Sequence, residues 1–154
     1  MGRPVMLSNG SMVVGLNEQG LVHDFYYPYV GEDNLTTARS VHHKIGIWID
    51  GAFSCLDDGS WDISVNFEDK ALISIITAHN NNLKILIEFN DFIDCEINAF
   101  CRNLKITNQS DKRRDVRVFF HQVFQISSEG RADTALYVPR GSYIYDYKGH
   151  CSLL

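Results

Sequence analysis

The stretch Gly20-Leu21-Val22-His23-Asp24-Phe25-Tyr26-Tyr27-Pro28-Tyr29-Val30-Gly31 sets four aromatics between two glycines, the densest such window in the chain. Read as a strand to Tyr27, its period-two alternation puts Leu21, His23, Phe25 and Tyr27 on one face and Val22, Asp24 and Tyr26 on the other. Each face mixes apolar and polar groups, so a strand covered on both sides is expected. Pro28 lacks a ladder donor and fixes its own φ, which should end the strand and open the polar loop Gly31-Glu32-Asp33-Asn34. An aromatic-walled loop of this kind suits contact with a sugar or with another domain, and the same aromatics equally suit the core of an all-β domain. His23, Asp24, Tyr26, Tyr27 and Tyr29 are therefore the candidate domain-contact or substrate-side residues.

Turn signals recur on both sides of this stretch. Asn9-Gly10 separates Val5–Leu7 from Ser11–Leu16 and reads as a two-residue hairpin turn. Asp50-Gly51 does the same between the alternating Ile45, Ile47, Ile49 and the run Ala52–Leu56. Trp61, Ile63, Val65 and Phe67 alternate with polar residues, and a further hairpin joins Ala71–Ala78 to Leu83–Phe89 through Asn80-Asn81-Asn82. From Cys95 to Ile106 the apolar set changes phase, which predicts a bulge near Arg102-Asn103. Asp115–Ser127 keeps Val116, Val118, Phe120, Phe124 and Ile126 on one parity and predicts a long, bending strand; Ala135–Val138 and Tyr143–Tyr147 predict two shorter ones. No window sustains helical spacing. The expected class is all-β, a sandwich of antiparallel sheets in one domain over residues 1–154.

With 154 residues and 45% hydrophobic content the chain can bury a core without staples. A net charge of -5 provides no field for nucleic acid, and the one cationic run, Lys112-Arg113-Arg114, falls in a predicted solvated turn. No stretch approaches the length of a membrane span or a signal peptide, so neither membrane nor export is expected, and the cytoplasm is the default compartment. Cys55, Cys95, Cys101 and Cys151 lack CxxC spacing and read as reduced thiols. Six histidines form neither HxxxH nor HExxH, so no metal and no cofactor is called for. Asp57-Asp58 and Glu32-Asp33 lie in predicted turns, where carboxylates bond their own backbone, and no pair is spaced in a way that suggests glycoside cleavage.

The runs Arg3–Gly10, Gly20–Gly31, Ile45-Gly46-Ile47-Trp48 and Leu56-Asp57-Asp58-Gly59-Ser60-Trp61 together resemble the N-terminal domain of prokaryotic glucoamylase-type enzymes, in glycoside hydrolase family fifteen with glucodextranases and trehalases. The resemblance is specific from Arg3 to about Asp62 and diffuse afterwards. It implies a β-supersandwich of galactose-mutarotase type, incomplete at its C-terminal end, since Cys151-Ser152-Leu153-Leu154 reads as mid-strand. It also implies a partner, the catalytic helical barrel that holds the family's acid and base glutamates, so that no catalytic residue transfers to any position here. The function expected on this basis is a non-catalytic accessory domain of an enzyme acting on alpha-linked glucosides. Two alternatives stay open. One is an autonomous mutarotase-like enzyme using His23, His79 or His121 with Glu88 or Glu96; the other is a carbohydrate-binding module using Trp48 or Trp61. Open sheet edges near the C-terminus, where Tyr143, Tyr145 and Tyr147 share a face, further predict self-association.

Overall fold

The computed structural model describes residues 2–36, 43–126 and 133–154. Thirteen strands and no helix are found among them. They form four antiparallel sheets, ordered β1-β2-β3, β10-β4-β5, β6-β7-β8-β9 and β11-β12-β13. The strands are β1 (Val5–Ser8), β2 (Val13–Leu16), β3 (Val22–Tyr26), β4 (Lys44–Ile49), β5 (Ala52–Cys55), β6 (Asp62–Phe67), β7 (Ser74–Asn80), β8 (Ile85–Ile93), β9 (Phe100–Asn108), β10 (Val116–His121), β11 (Thr134–Val138), β12 (Tyr143–Lys148) and β13 (Cys151–Leu153).

A single buried cluster joins the first three sheets. Val5, Leu7, Val14 and Leu16 from β1 and β2 meet Ile45, Ile47 and Ile49 from β4 and Ile76, Ala78, Ile85, Ile87 and Phe89 from β7 and β8. The every-second-residue spacing of these side chains follows from the pleat, and their burial makes the fold sandwich-type. Trp61 completes one corner of the core, its indole N–H donating to Ser54 Oγ at 2.8 Å.

Local chemistry explains the turns. Asp50 and Gly51, at φ 48° and 96°, form a two-residue loop of the left-handed kind that matches strand twist, with Ile49 opposite Ala52. Asn9-Gly10 departs from the two-residue expectation: Ser8 pairs with Val13, so the loop holds four residues, and Asn9 Oδ1 accepts from the amides of Ser11 and Met12. Asp58 likewise collects the Cys55 and Ser60 amides and both neighbouring serine hydroxyls, the turn role expected of it.

Three other expectations are corrected. First, β9 pairs with β8 in unbroken register from Ile85–Asn108 to Ile93–Phe100, with no bulge at Arg102-Asn103. The apolar phase changes because Cys95–Ala99 belongs to a turn, and because Arg102 occupies an inward position beside Phe100, Leu104 and Ile106. There it is neutralised by its cross-strand partner Asp91, wholly buried, through a two-pronged ion pair of 2.8 and 2.7 Å. Second, β10 stops at His121 and the strand does not run on through Gln122 to Ile126; Ser127 lies outside the described residues. Phe124 packs edge-on against Phe25 at 5.6 Å and His43 at 4.8 Å, and the Gln125 amide donates to Leu35, so this segment is drawn towards β3. Third, Arg114 is not a solvated turn residue: it pairs with Asp50 at 2.8 Å and donates to the Leu83 carbonyl, tying three loops together.

Candidate functional site

The five candidate residues lie on β3 and the loop after it, and Gly15 decides how they sit. Gly15 faces Asp24 across the β2–β3 ladder, while Leu16 faces Val22, so His23 is the extra residue of a bulge. A Cβ at position 15 would stand 3.0 Å from Asp24 Oδ2 and 2.9 Å from Met6 Sδ. Any side chain there would crowd the carboxylate and make it shift.

Asp24 is buried and ionised. It accepts from Arg3, from Asn34 Nδ2 at 2.8 Å, and lies 3.4 Å from His23 Nδ1. Burial pushes its carboxyl up, but the hydrogen bonds and charge of Arg3, with His23 adding to them, outweigh that and hold it below the ordinary carboxylate range. Asn34 extends the network: its Oδ1 accepts from the Phe25 and Thr36 amides and from the Thr36 hydroxyl, which in turn lies 2.6 Å from the His23 carbonyl. Tyr26 Oη stands 3.5 Å from Asn34 Nδ2. The loop is thus pinned to β3 by polar bonds, and Leu35 anchors it in the hydrophobic core.

Beyond the cis Tyr27–Pro28 bond the chain turns outward, with β3 ending at Tyr26 close to where Pro28 predicts. Tyr27 receives a hydrogen bond of 3.4 Å from Asn98, and Asn98 in turn is bonded by Asn9, linking the loop to the β1–β2 and β8–β9 turns. Tyr29 is 56% exposed, next to exposed Val30. The structure therefore divides the five candidates: Asp24 works beneath the surface, His23 and Tyr26 lie half-buried at the rim, and Tyr27 and Tyr29 face solvent. Arg3, Asn34 and Thr36 complete the arrangement and were not singled out from sequence. A glycine inside the otherwise branched strand Val13–Leu16 was the available signal.

What this cluster can do chemically follows from its protonation. A general acid needs a carboxyl raised towards neutrality, whereas Asp24 is lowered and saturated with donors. It holds the Arg3 and Asn34 side chains in place and does not trade protons near pH 7.

A cleft of about 210 Å³ opens beside the site, lined by Leu21, Val22, Lys44, Ile45, Phe100 and Arg102 together with His43, Phe120, His121 and Gln122. No carboxylate lines it. The histidine and glutamate candidates of the mutarotase alternative are engaged with other partners: Glu88 pairs with Lys105 at 2.7 Å on the outer face of β8, Glu96 sits in the exposed turn after Asp94, and His79 bonds Gln109 at 2.7 Å. Neither tryptophan offers a free platform, since Trp61 is core and Arg117 lies 4.6 Å over the Trp48 ring. No group of three potential metal ligands occurs among the described residues.

Comparison with known proteins gives a distant relative. Over 146 residues the chain is 23% identical to a protein of Methanocaldococcus jannaschii described as an uncharacterized glycosyl hydrolase. The match covers 94% of this chain but 22% of that relative, so the chain spans about a fifth of its length. No family model and no solved structure matches. Fold and likeness together define an all-β domain related to glycosyl hydrolases.

Proposed function

We propose that this chain is a non-catalytic N-terminal accessory domain of a glucoamylase-like glycoside hydrolase acting on alpha-linked glucosides, which supports a catalytic helical barrel and its substrate site. The observation that carries this reading is the lopsided match: nearly all of the chain corresponds to a small part of a glycosyl hydrolase. The site chemistry agrees with it. Glycosidic cleavage takes two carboxyls flanking one bond, about 5 to 10 Å apart and open to substrate. Four carboxylates are engaged elsewhere, Asp24 with Arg3, Asp91 with Arg102, Asp58 within its turn and Glu88 with Lys105.

On this reading the network under Asp24 fixes the height and angle of the loop, and Tyr27 and Tyr29 are the groups offered to the barrel or to the glucan it holds. Their flat, amphipathic rings suit either contact. The test is glucose release from maltooligosaccharide and from trehalose by the pure chain. None is expected; release that follows the chain through successive purification steps would remove the accessory role and reinstate an autonomous enzyme.

A further inference from the structure

Of the sheets' outer strands, β11 is unlike the rest. Thr134-Ala135-Leu136-Tyr137-Val138 contains no charge, and among the described residues it pairs on one side only, with β12. Edges are ordinarily blunted by charge, by proline or by burial. β6 carries Asp62, β9 carries Arg102 and Lys105, and β10 carries Arg117. β1 is shielded differently, with Val5 and Leu7 wholly buried. β5 and β13 are uncharged but shorter, at four and three residues. β11 is thus the longest uncharged edge, and both its faces are open: Leu136 is 49% and Tyr137 64% exposed although they point opposite ways.

From this we infer that β11 is an interface strand whose partner is β11 of a second copy, paired antiparallel about a two-fold axis through Leu136. Such a pairing sets Leu136 against Leu136, Ala135 against Tyr137 and Thr134 against Val138. In antiparallel self-pairing the residue on the axis opposes its own copy, and here that residue is the uncharged Leu136; the flanking cross-strand pairs bring no like charges together either. Small meets large at positions 135 and 137, and branched meets branched at 134 and 138. The product is a six-stranded sheet in which the open donors and acceptors of β11 are satisfied. The face bearing Thr134, Leu136, Val138, Tyr143, Tyr145 and Tyr147, where Tyr145 and Tyr147 already stack at 5.3 Å, becomes continuous across both copies. This inference is independent of the accessory-domain reading.

Light scattering over a concentration series is the test. The wild-type mass should rise from one chain to two and stop there. Leu136→Lys should raise the dissociation constant at least tenfold, with Tyr137→Lys as the second variant should the first lose its circular-dichroism spectrum. Opposite residues in an antiparallel pair lie about 4.5 to 5.5 Å apart at Cα, within disulfide reach. Leu136→Cys should therefore form a linked dimer on mild oxidation. Thr134→Cys, with its two copies about 13 Å apart in this register, should form no more than the wild type. A constant one-chain mass, open-ended growth beyond two, or a dimer indifferent to both lysine variants would overturn the pairing.

Discussion

The sheets β6 to β9 and β11 to β13 use similar residues to opposite ends. In the first, β8 alternates buried and half-buried positions along most of its length, and two inward charges, Arg102 and the wholly buried Asp91, pair with each other, Arg102 also donating to the Gly20 carbonyl at 2.8 Å. In the second, Leu136, Tyr137, Tyr143 and Ile144 stand largely exposed on both faces, and Leu153 is the side chain that reaches the common core. Apolar content is therefore a poor guide to burial here. What separates the regions is whether another sheet lies against them: β8 is backed by β1, whereas no described strand covers β11.

The contrast can be broken most sharply at Asp91. Asp91→Ala strands the Arg102 guanidinium in the core and should cost about 3 to 5 kcal/mol in urea unfolding. Replacing the pair together by Leu and Met should recover most of that loss. Failure of the single variant to destabilise would mean that the pair is solvated and that this sheet is less closed than its burial implies. A smaller effect belongs to the loop network. Asn34→Ala leaves the Phe25 and Thr36 amides without their acceptor and should cost about 1 to 3 kcal/mol, read as an earlier urea midpoint.

Acid titration sharpens the same point for Asp24 and Asp58. Burial raises both carboxyls, but Arg3 and His23 at Asp24, and the Ser54, Ser60 and Cys55 donors at Asp58, bring each below its ordinary value. A folded pKa below the unfolded value of about 3.9 means that the stabilisation is complete above that pH and is lost as pH falls through the folded pKa. Stability should therefore drop below about pH 4, and Asp24→Asn should flatten that drop in thermal melts. The smallest effect is expected at the second sheet. Tyr137→Ala should alter the unfolding free energy of the dilute chain by no more than about 0.5 kcal/mol, because an exposed side chain loses little on truncation. A larger loss would show β11 to be covered within one copy.

Sequence reading recovers the class of fold because alternation and Asn-Gly or Asp-Gly turns act locally. Ile45, Ile47 and Ile49 are buried on one side of β4 as their spacing predicts, and the Asp50-Gly51 turn falls where it should. The reading fails where a distant partner overrides local pattern. Arg102 looks like an outward residue until Asp91 is placed opposite it, and that inversion is what made a regular strand resemble a bulged one. The real bulge, at His23, arises from the space Gly15 leaves for a carboxylate, a fit that alternation does not encode. For the candidate site, the strand break near Pro28 was legible, whereas alternation did not decide whether the aromatics face solvent or core. The anchoring of the loop by Arg3, Asn34 and Thr36 was not legible, since each bond joins residues ten or more positions apart or acts through the backbone.

The core between β1, β4, β7 and β8 is filled by this chain's own residues, and the β11 edge is inferred to be filled by a second copy. Hydrogen exchange of the wild-type chain, followed strand by strand at low and high protein concentration, tests this most directly. Amides of β7 and β8 should exchange slowly and identically at both concentrations, while the outward amides of β11 should exchange quickly when dilute and become protected when concentrated. Slow exchange of β11 at the lowest concentration, or fast exchange of β8, would contradict it.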